Sequence, residues 1–277
     1  MSVVDQYINE VIKRGDQGSE LLAARCAPTL KNSPYVEILR EGMNGISVLR
    51  IPDDYYVVVH STAGDPNEYD ISGHAASLID RLFVQAENIG ATPLGIADVI
   101  DARTGDIETI EKIVHSLIKK ANGYGIAIMN GELAILGDRV IYDANISGTM
   151  ISMVQKKDLN PCVIDEKGTK YAVFDHLNKA IFINSDGVGT KTEFYERAKK
   201  YRRALRDSLE MKLSDVVKYG AKPQAIFDVV EMNGDIDIGL LDDDAHYLSK
   251  LMGATYLLEY EDVGNRLKGW SEGAPVF

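Results

Sequence analysis

The sequence predicts an α/β protein built from two copies of one βα module, and three observations predict it. Residues 90–99, GATPLGIADV, and 220–229, GAKPQAIFDV, share six of ten positions. Apolar residues recur at helical spacing before and after each copy. Upstream of each pair lies a β-rich run, YYVVVHS (55–61) and KAIFINS (179–185). Repetition of a short match together with its flanks is the mark of a duplicated unit.

The elements follow in order. Residues 1–45 read as a helical extension, opening with the amphipathic, acidic MSVVDQYINEVIKRGDQGSE. The first module, 46–155, starts with the strand at 55–61. A helix follows through Ile71, Ala75, Leu78, Ile79, Leu82, Phe83 and Ala86, then the strand at 90–99. Ile107, Ile110, Val114, Leu117 and Ile118 make the second helix, which runs into the strand GIAIMNGE (125–132). The second module, 156–277, repeats this plan. Its strand at 179–185 leads to a helix through Leu205, Leu209, Leu213, Val216 and Val217, then to the strand at 220–229. Ala245, Leu248 and Met252 mark the next helix, and ATYLLEYE (254–261) the last strand. Between the modules, 143–178 carries turn signals around Asn160-Pro161 and Lys167-Gly168. No low-complexity linker separates the halves, so they are expected to pack together.

Composition narrows the partners. Hydrophobic residues at 45% and charged residues at 26% suit a folded domain. A formal charge of −12 argues against nucleic acid and anionic membranes, whose phosphates would be repelled. No apolar run approaches the roughly 18 residues that span a bilayer. The opening lacks a basic region followed by an apolar one, so no signal peptide is expected. Cys26 and Cys162 form no CxxC pair and read as reduced thiols, which predicts a cytoplasmic location.

The sharpest local signal is Ser185-Asp186-Gly187-Val188-Gly189-Thr190-Lys191, directly after an apolar strand. Glycines let backbone N–H groups approach anionic oxygens, and Lys191 adds a point charge. Asp186 at the strand end suits a hard cation that bridges phosphates. On these residues alone, a glycine-rich turn with an exposed lysine is an equal reading. Three other features are read blandly. The Asp242-Asp243-Asp244 run is expected to cap a helix N-terminus. Lys199 to Arg203 read as a solvated helix face, and His60 as structural rather than as a ligand.

A strand followed by D-G-V-G-T-K, then a helix, G-A-x-P and a strand ending in aspartate resembles the N-terminal domain of aminoimidazole ribonucleotide synthetase. That superfamily also holds selenophosphate synthetase, thiamine-monophosphate kinase and the hydrogenase-maturation carbamoyl dehydratase. The resemblance implies that Asp186 binds Mg²⁺ with ATP phosphates and that Asp215 is the second metal-binding aspartate. It implies phosphate contacts from Gly187, Gly189, Thr190 and Lys191. Asp98 and Asp228 match the acidic strand end, and Glu132 and Glu261 match the glutamate of a G-G-E strand end. The family pairs such domains through their sheets into a shared barrel. Two modules in one chain therefore imply a pseudo-twofold arrangement with a barrel-like core flanked by helices. Asp65, Asp98, Glu132, Asp186, Asp215, Asp228 and Glu261 would then face one acidic cavity. Clustered carboxylates repel one another unless cations neutralise them, and oxygen-only ligands suit more than one Mn²⁺ or Mg²⁺ ion.

The departures shape the expected function. The first copy has His60-Ser61-Thr62-Ala63-Gly64-Asp65 in place of D-G-x-G-T-K, and Gln85 in place of an aspartate. A second copy of the module stands where the family carries a different α/β domain. The expectation is a divalent-metal-dependent phosphohydrolase acting on a small phosphorylated substrate, with Asp186 and Asp215 as catalytic carboxylates. Two alternatives stay open: an ATP-dependent synthetase or kinase, and a non-catalytic metal- or nucleotide-binding protein. Nucleotide as a partner and homo-oligomerisation are open as well.

Overall fold

The computed structural model describes residues 18, 20–38, 47–159, 169–187, 191–217, 219–233, 238–263 and 266–276. Residues 20–26 are helical and run into a 3₁₀ turn, Ala27–Asn32. The strands are β1 (Val36–Ile38), β2 (Ser47–Leu49), β3 (Tyr55–Ala63), β4 (Thr92–Ala102), β5 (Ala127–Ile135) and β6 (Ala144–Gln155), followed by β7 (Ala172–Phe174), β8 (Ile181–Gly187), β9 (Ala225–Asn233), β10 (Thr255–Asp262) and β11 (Gly269–Val276). The helices are α1 (Ile71–Asn88), α2 (Ile107–Tyr124), α3 (Lys191–Arg197), α4 (Tyr201–Val217) and α5 (Ile238–Met252).

Local chemistry explains the boundaries. Asp70 and Asp106 cap α1 and α2, their carboxylates accepting from the Gly73 and Thr109 N–H groups at 2.9 Å each. After the helices the chain needs left-handed backbone, and glycine supplies it at matching places. Gly90 and Gly220 have φ of 71° and 78°, and Gly125 and Gly253 have 69° and 65°.

The strands form two sheets, ordered β5-β4-β6-β3-β7 and β1-β2-β8-β11-β9-β10. This corrects the expected barrel: the described strands close no single barrel but lie in two mixed sheets. β4 and β5 are parallel, as are β9 and β10, each pair joined by a crossover helix. The return strands β6 and β11 were not predicted. Each inserts antiparallel into the middle of its sheet, β6 between β4 and β3, β11 between β9 and β8. Strand order and direction thus agree between β3–β6 and β8–β11.

The sheets pack against each other through Val57, Val59, Ala97 and Met129 on one side and Ile181, Ile183, Ala225 and Phe227 on the other. The outer face of the first sheet is covered by α1, α2 and the helical segment at 20–26. α4 and α5 cover the second sheet through Leu205, Leu209, Leu241, Ala245 and Leu248. No helix among the described residues is long and apolar enough to cross a membrane.

Candidate functional site

Strand alternation divides the acidic residues between two environments, because successive side chains point to opposite sides of a sheet. On β4, Ile96 and Ile100 face the helices, and Asp98 shares their side. Ala97 faces the opposite sheet, and Asp101 shares that side. On β9, Asp228 lies between helix-facing Ile226 and Val230, while Glu231 follows Phe227 and Val229 toward the sheet interface. Asp98 and Asp228 therefore point away from the space between the sheets. This corrects the expectation that both line a cavity shared by the modules.

Asp98 and Asp228 are both wholly buried, but they are handled differently. Asp228 accepts from Lys212 Nζ at 2.6 Å and from the Tyr256 hydroxyl, and neither Asp228 nor Lys212 is exposed. With an ammonium already on one oxygen and a hydroxyl on the other, Asp228 is no open metal ligand. Counting back eight residues from the repeated glycine, Lys212 occupies the place of Leu82. In the ladders Tyr256 pairs with Ile226 as Ile128 pairs with Ile96. Leucine and isoleucine offer Asp98 no donor, and among the described residues no side chain donates to either of its oxygens. Its carboxylate sits against Gly131, where a Cβ would come within 3.0 and 3.1 Å of its oxygens, and near Cys26. Burial raises the Asp98 pKa to about 7, with its own backbone N–H opposing. The same burial, with the Asp98 charge adding to it, pushes the Cys26 thiol up.

The remaining expected residues are scattered. Asp65 is used locally, its Oδ1 accepting from the Asn67 backbone N–H at 2.9 Å and side-chain amide at 3.2 Å. Glu132 lies on β5 opposite Val99. On β10 Glu259 stands opposite Val229 as Glu132 stands opposite Val99, so Glu261 lies two places beyond the counterpart of Glu132, and the one-residue bulge between Ile96 and Ala97 accounts for one of those places. Asp186 and Gly187 pair with Ala274 and Gly273 of β11. Lys191 opens α3 and Asp215 lies on α4, and the side chains of Asp186, Lys191, Asp215 and Glu261 lie outside what the structure describes. Gly189 and Thr190 lie outside the described residues altogether. Among the described residues, no group of three or more histidine, cysteine or acidic side chains could hold a metal ion.

Sequence reasoning missed the polar residues between the sheets. Asn145 donates to Glu231, and Asp101 lies beside Asn145 in the β4–β6 ladder. Extending the repeat by two positions would have found them, since Asp101 and Glu231 are its next acidic match. His74 was missed because it sits among ordinary helix residues. Its Nδ1–H donates to the Asp65 carbonyl at 2.9 Å, and its Nε2 accepts from Ile146 N–H at 3.2 Å. Burial, and then the Arg266 charge, lower its pKa to about 4, so it is a neutral structural imidazole. His60 is structural too, with Nε2 at 3.0 Å from the Leu82 carbonyl and its ring against Tyr171. Asp244 corrects the capping expectation: it lies inside α5, wholly buried, bound by Arg202 at 3.0 Å and Arg206 at 2.6 Å. Burial alone would raise its pKa, but the two guanidinium groups outweigh that and lower it.

Comparison with known proteins places this arrangement. The family described as AIR synthase related protein, N-terminal domain, matches residues 47–154 and 168–252. The phosphoribosylformylglycinamidine cyclo-ligase of Thermoplasma volcanium is 38% identical over 68 residues, 24% of this chain and 20% of that protein. The chain thus spans about a fifth of the length of that curated relative. Among solved structures, hydrogenase maturation protein HypE in complex with ATP is 16% identical, with 36% of this chain and 31% of that one covered and a TM-score of 0.33. PurLQS from Thermotoga maritima is 18% identical, over 43% of this chain and 21% of that one, with a TM-score of 0.32. The family is named for a synthase and the curated relative for a ligase, which overturns the expected phosphohydrolase. Both matched segments together cover most of the sequence, and the chain belongs to the AIR synthase related protein family.

Proposed function

We propose that this chain is an ATP-dependent enzyme of the synthetase or ligase type, acting on a small phosphorylated substrate. The observation that carries the reading is D-G-V-G-T-K at 186–191, which begins in the last two residues of β8 and lies inside the second matched segment. On this reading Gly187, Gly189, Thr190 and Lys191 contact nucleotide phosphates, while Asp186 and Asp215 hold Mg²⁺ or Mn²⁺. Such an ion bridges phosphate oxygens and offsets the charge that builds up in transfer. Glu132 and Glu261, near the strand ends, are candidates for further ligation.

The same proposal includes the domain plan: an extension at 1–45 and modules at 46–155 and 156–277, related by a pseudo-twofold axis. The shared strand order supports it. So does the bridge between Val140 and Leu267, which lie in the β5–β6 and β10–β11 connections. An element meeting its own counterpart is what a twofold relation produces.

The test is calorimetric and kinetic. Mg²⁺-ATP should bind the full chain, and Asp186→Asn or Asp215→Asn should weaken Mn²⁺ binding by about tenfold or more, since one anionic ligand is lost. Phosphate release should need ATP. Phosphate released from simple monoesters without nucleotide, or unchanged ion affinity in both variants, would overturn the assignment.

A further inference from the structure

The helices α1, α2 and α4 end in one motif. The chain turns there on Gly90, Gly125 and Gly220, with φ of 71°, 69° and 78°. In each case the glycine N–H donates to the carbonyl three residues back and the next N–H to the carbonyl five back. At α1 these are Gly90 to Glu87 at 2.9 Å and Ala91 to Ala86 at 3.1 Å. α3 ends in the same two bonds, Lys199 to Glu196 at 2.9 Å and Lys200 to Tyr195 at 2.8 Å. Here the left-handed residue is a lysine, Lys199, with φ of 52°. A Cβ crowds the following carbonyl in that conformation, so glycine would fold more readily.

The next turn opposes a second local preference. α1 and α2 are capped by Asp70 and Asp106, as suits the partial positive charge of a helix N-terminus. α4 instead opens on Tyr201-Arg202-Arg203, with no acidic residue in its first turn. Six of the ten residues at 197–206 are basic, in a chain of formal charge −12. Arg202 and Arg206 have a reason within the fold, their grip on buried Asp244. Lys199 and Lys200 are exposed and form no ion pair among the described residues. The basic run is therefore not the solvated face of one helix. α3 ends at Arg197 and α4 begins at Tyr201, so the run wraps a corner, and Phe194, 73% exposed, lies one turn before it. Lysines that oppose local preference and pair with nothing in the fold point to a role outside it.

We propose that the corner at 197–206 is a docking surface for a short acidic segment of a partner protein. Carboxylates of that segment meet Lys199, Lys200 and the half-exposed Arg202, and an apolar side chain covers Phe194. Charge also limits the partner's extent. Screening cuts the reach of these charges to about 8 Å at physiological salt. A short segment stays within that reach. A duplex or a membrane surface runs on over the acidic remainder of the chain and is repelled.

The full chain should bind a labelled peptide of glutamate, aspartate and one leucine, read by fluorescence anisotropy, and ignore a glutamine and asparagine peptide of equal length. Affinity should fall as salt rises. Lys200→Gln removes a charge without touching the left-handed residue and should weaken binding about threefold. Lys199→Gly should weaken it by a similar factor and yet raise the melting temperature, because the crowded Cβ is gone. A lysine that serves only the fold would do the reverse, lowering the melting temperature and leaving binding unchanged. A lower melting temperature in Lys199→Gly, or unchanged affinity in both variants, would overturn the assignment. So would failure of the acidic peptide to bind, or a single-stranded oligonucleotide or phosphatidylserine vesicles binding as tightly as the peptide.

Discussion

Replacing Asp98 by Asn should change how stability depends on pH, with a sign that follows from its surroundings. The carboxyl is wholly buried beside Gly131 and Cys26, and among the described residues no side chain donates to either oxygen. In the folded chain it keeps its proton up to about pH 7, whereas its ordinary value is 3.8. Between these limits the folded state binds more protons than the unfolded state, so stability falls as pH rises. The loss begins near pH 4 and is complete above pH 7. About three pKa units at 1.36 kcal/mol each make it roughly 4 kcal/mol. Asparagine has the same shape and no charge, so it removes this slope. Its unpartnered amide instead destabilises by about 1–3 kcal/mol at every pH. The variant should then be less stable than the parent near pH 4 and more stable above pH 7. Urea denaturation at half-unit steps from pH 4 to 9 measures the difference. A difference that stays constant across that range would refute the argument, because it would mean that Asp98 ionises freely in the folded chain.

Removing the partner of the equivalent acid should act in the opposite way. Lys212→Met leaves the buried Asp228 charge with the neutral Tyr256 hydroxyl in place of its ammonium partner and should destabilise by about 3–5 kcal/mol in chemical denaturation. The double variant with Asp228→Leu should recover most of that loss, and a double variant no better than the single would refute the pairing. The His74 ring should titrate near pH 4 by NMR. Since the unfolded chain takes up that proton near 6.5, stability should fall as pH drops from 6.5 to 4, by about 3 kcal/mol. A ring titrating at its ordinary value would show that burial and the Arg266 charge do not hold it neutral.

Much of the fold was legible along the chain, for reasons that are local. The spacing of Ile71, Ala75, Leu78 and Leu82 specifies a helix face whatever lies beyond it. Gly90 and Gly220 announce the left-handed turn that each helix end requires. The recurrence of those signals revealed the repeat, and the D-G-V-G-T-K run pointed to the family. The return strands were harder to read. β6 alternates apolar and polar residues from Ala144 to Met150, but Gly148 interrupts the run with a turn residue and the alternation breaks at Ile151, so the strand does not stand out.

The site depended on more than order along the chain. Repetition marked Asp98 and Asp228 as equivalent, and they do occupy equivalent strands, but equivalence says nothing about charge compensation. That is decided by residues sixteen positions away in one case, where Lys212 reaches Asp228, and by Leu82 in the other, which brings no charge at all. The sequence by itself determined β3, β4, β5, β8, β9 and β10, the four long helices and the repeated acids, because each depends on neighbours within a few residues. Only the tertiary structure decided that Asp98 and Asp228 face helices while Asp101 and Glu231 face the opposite sheet. Burial and ion pairing are set by which surfaces come together, and residues distant in sequence supply those surfaces.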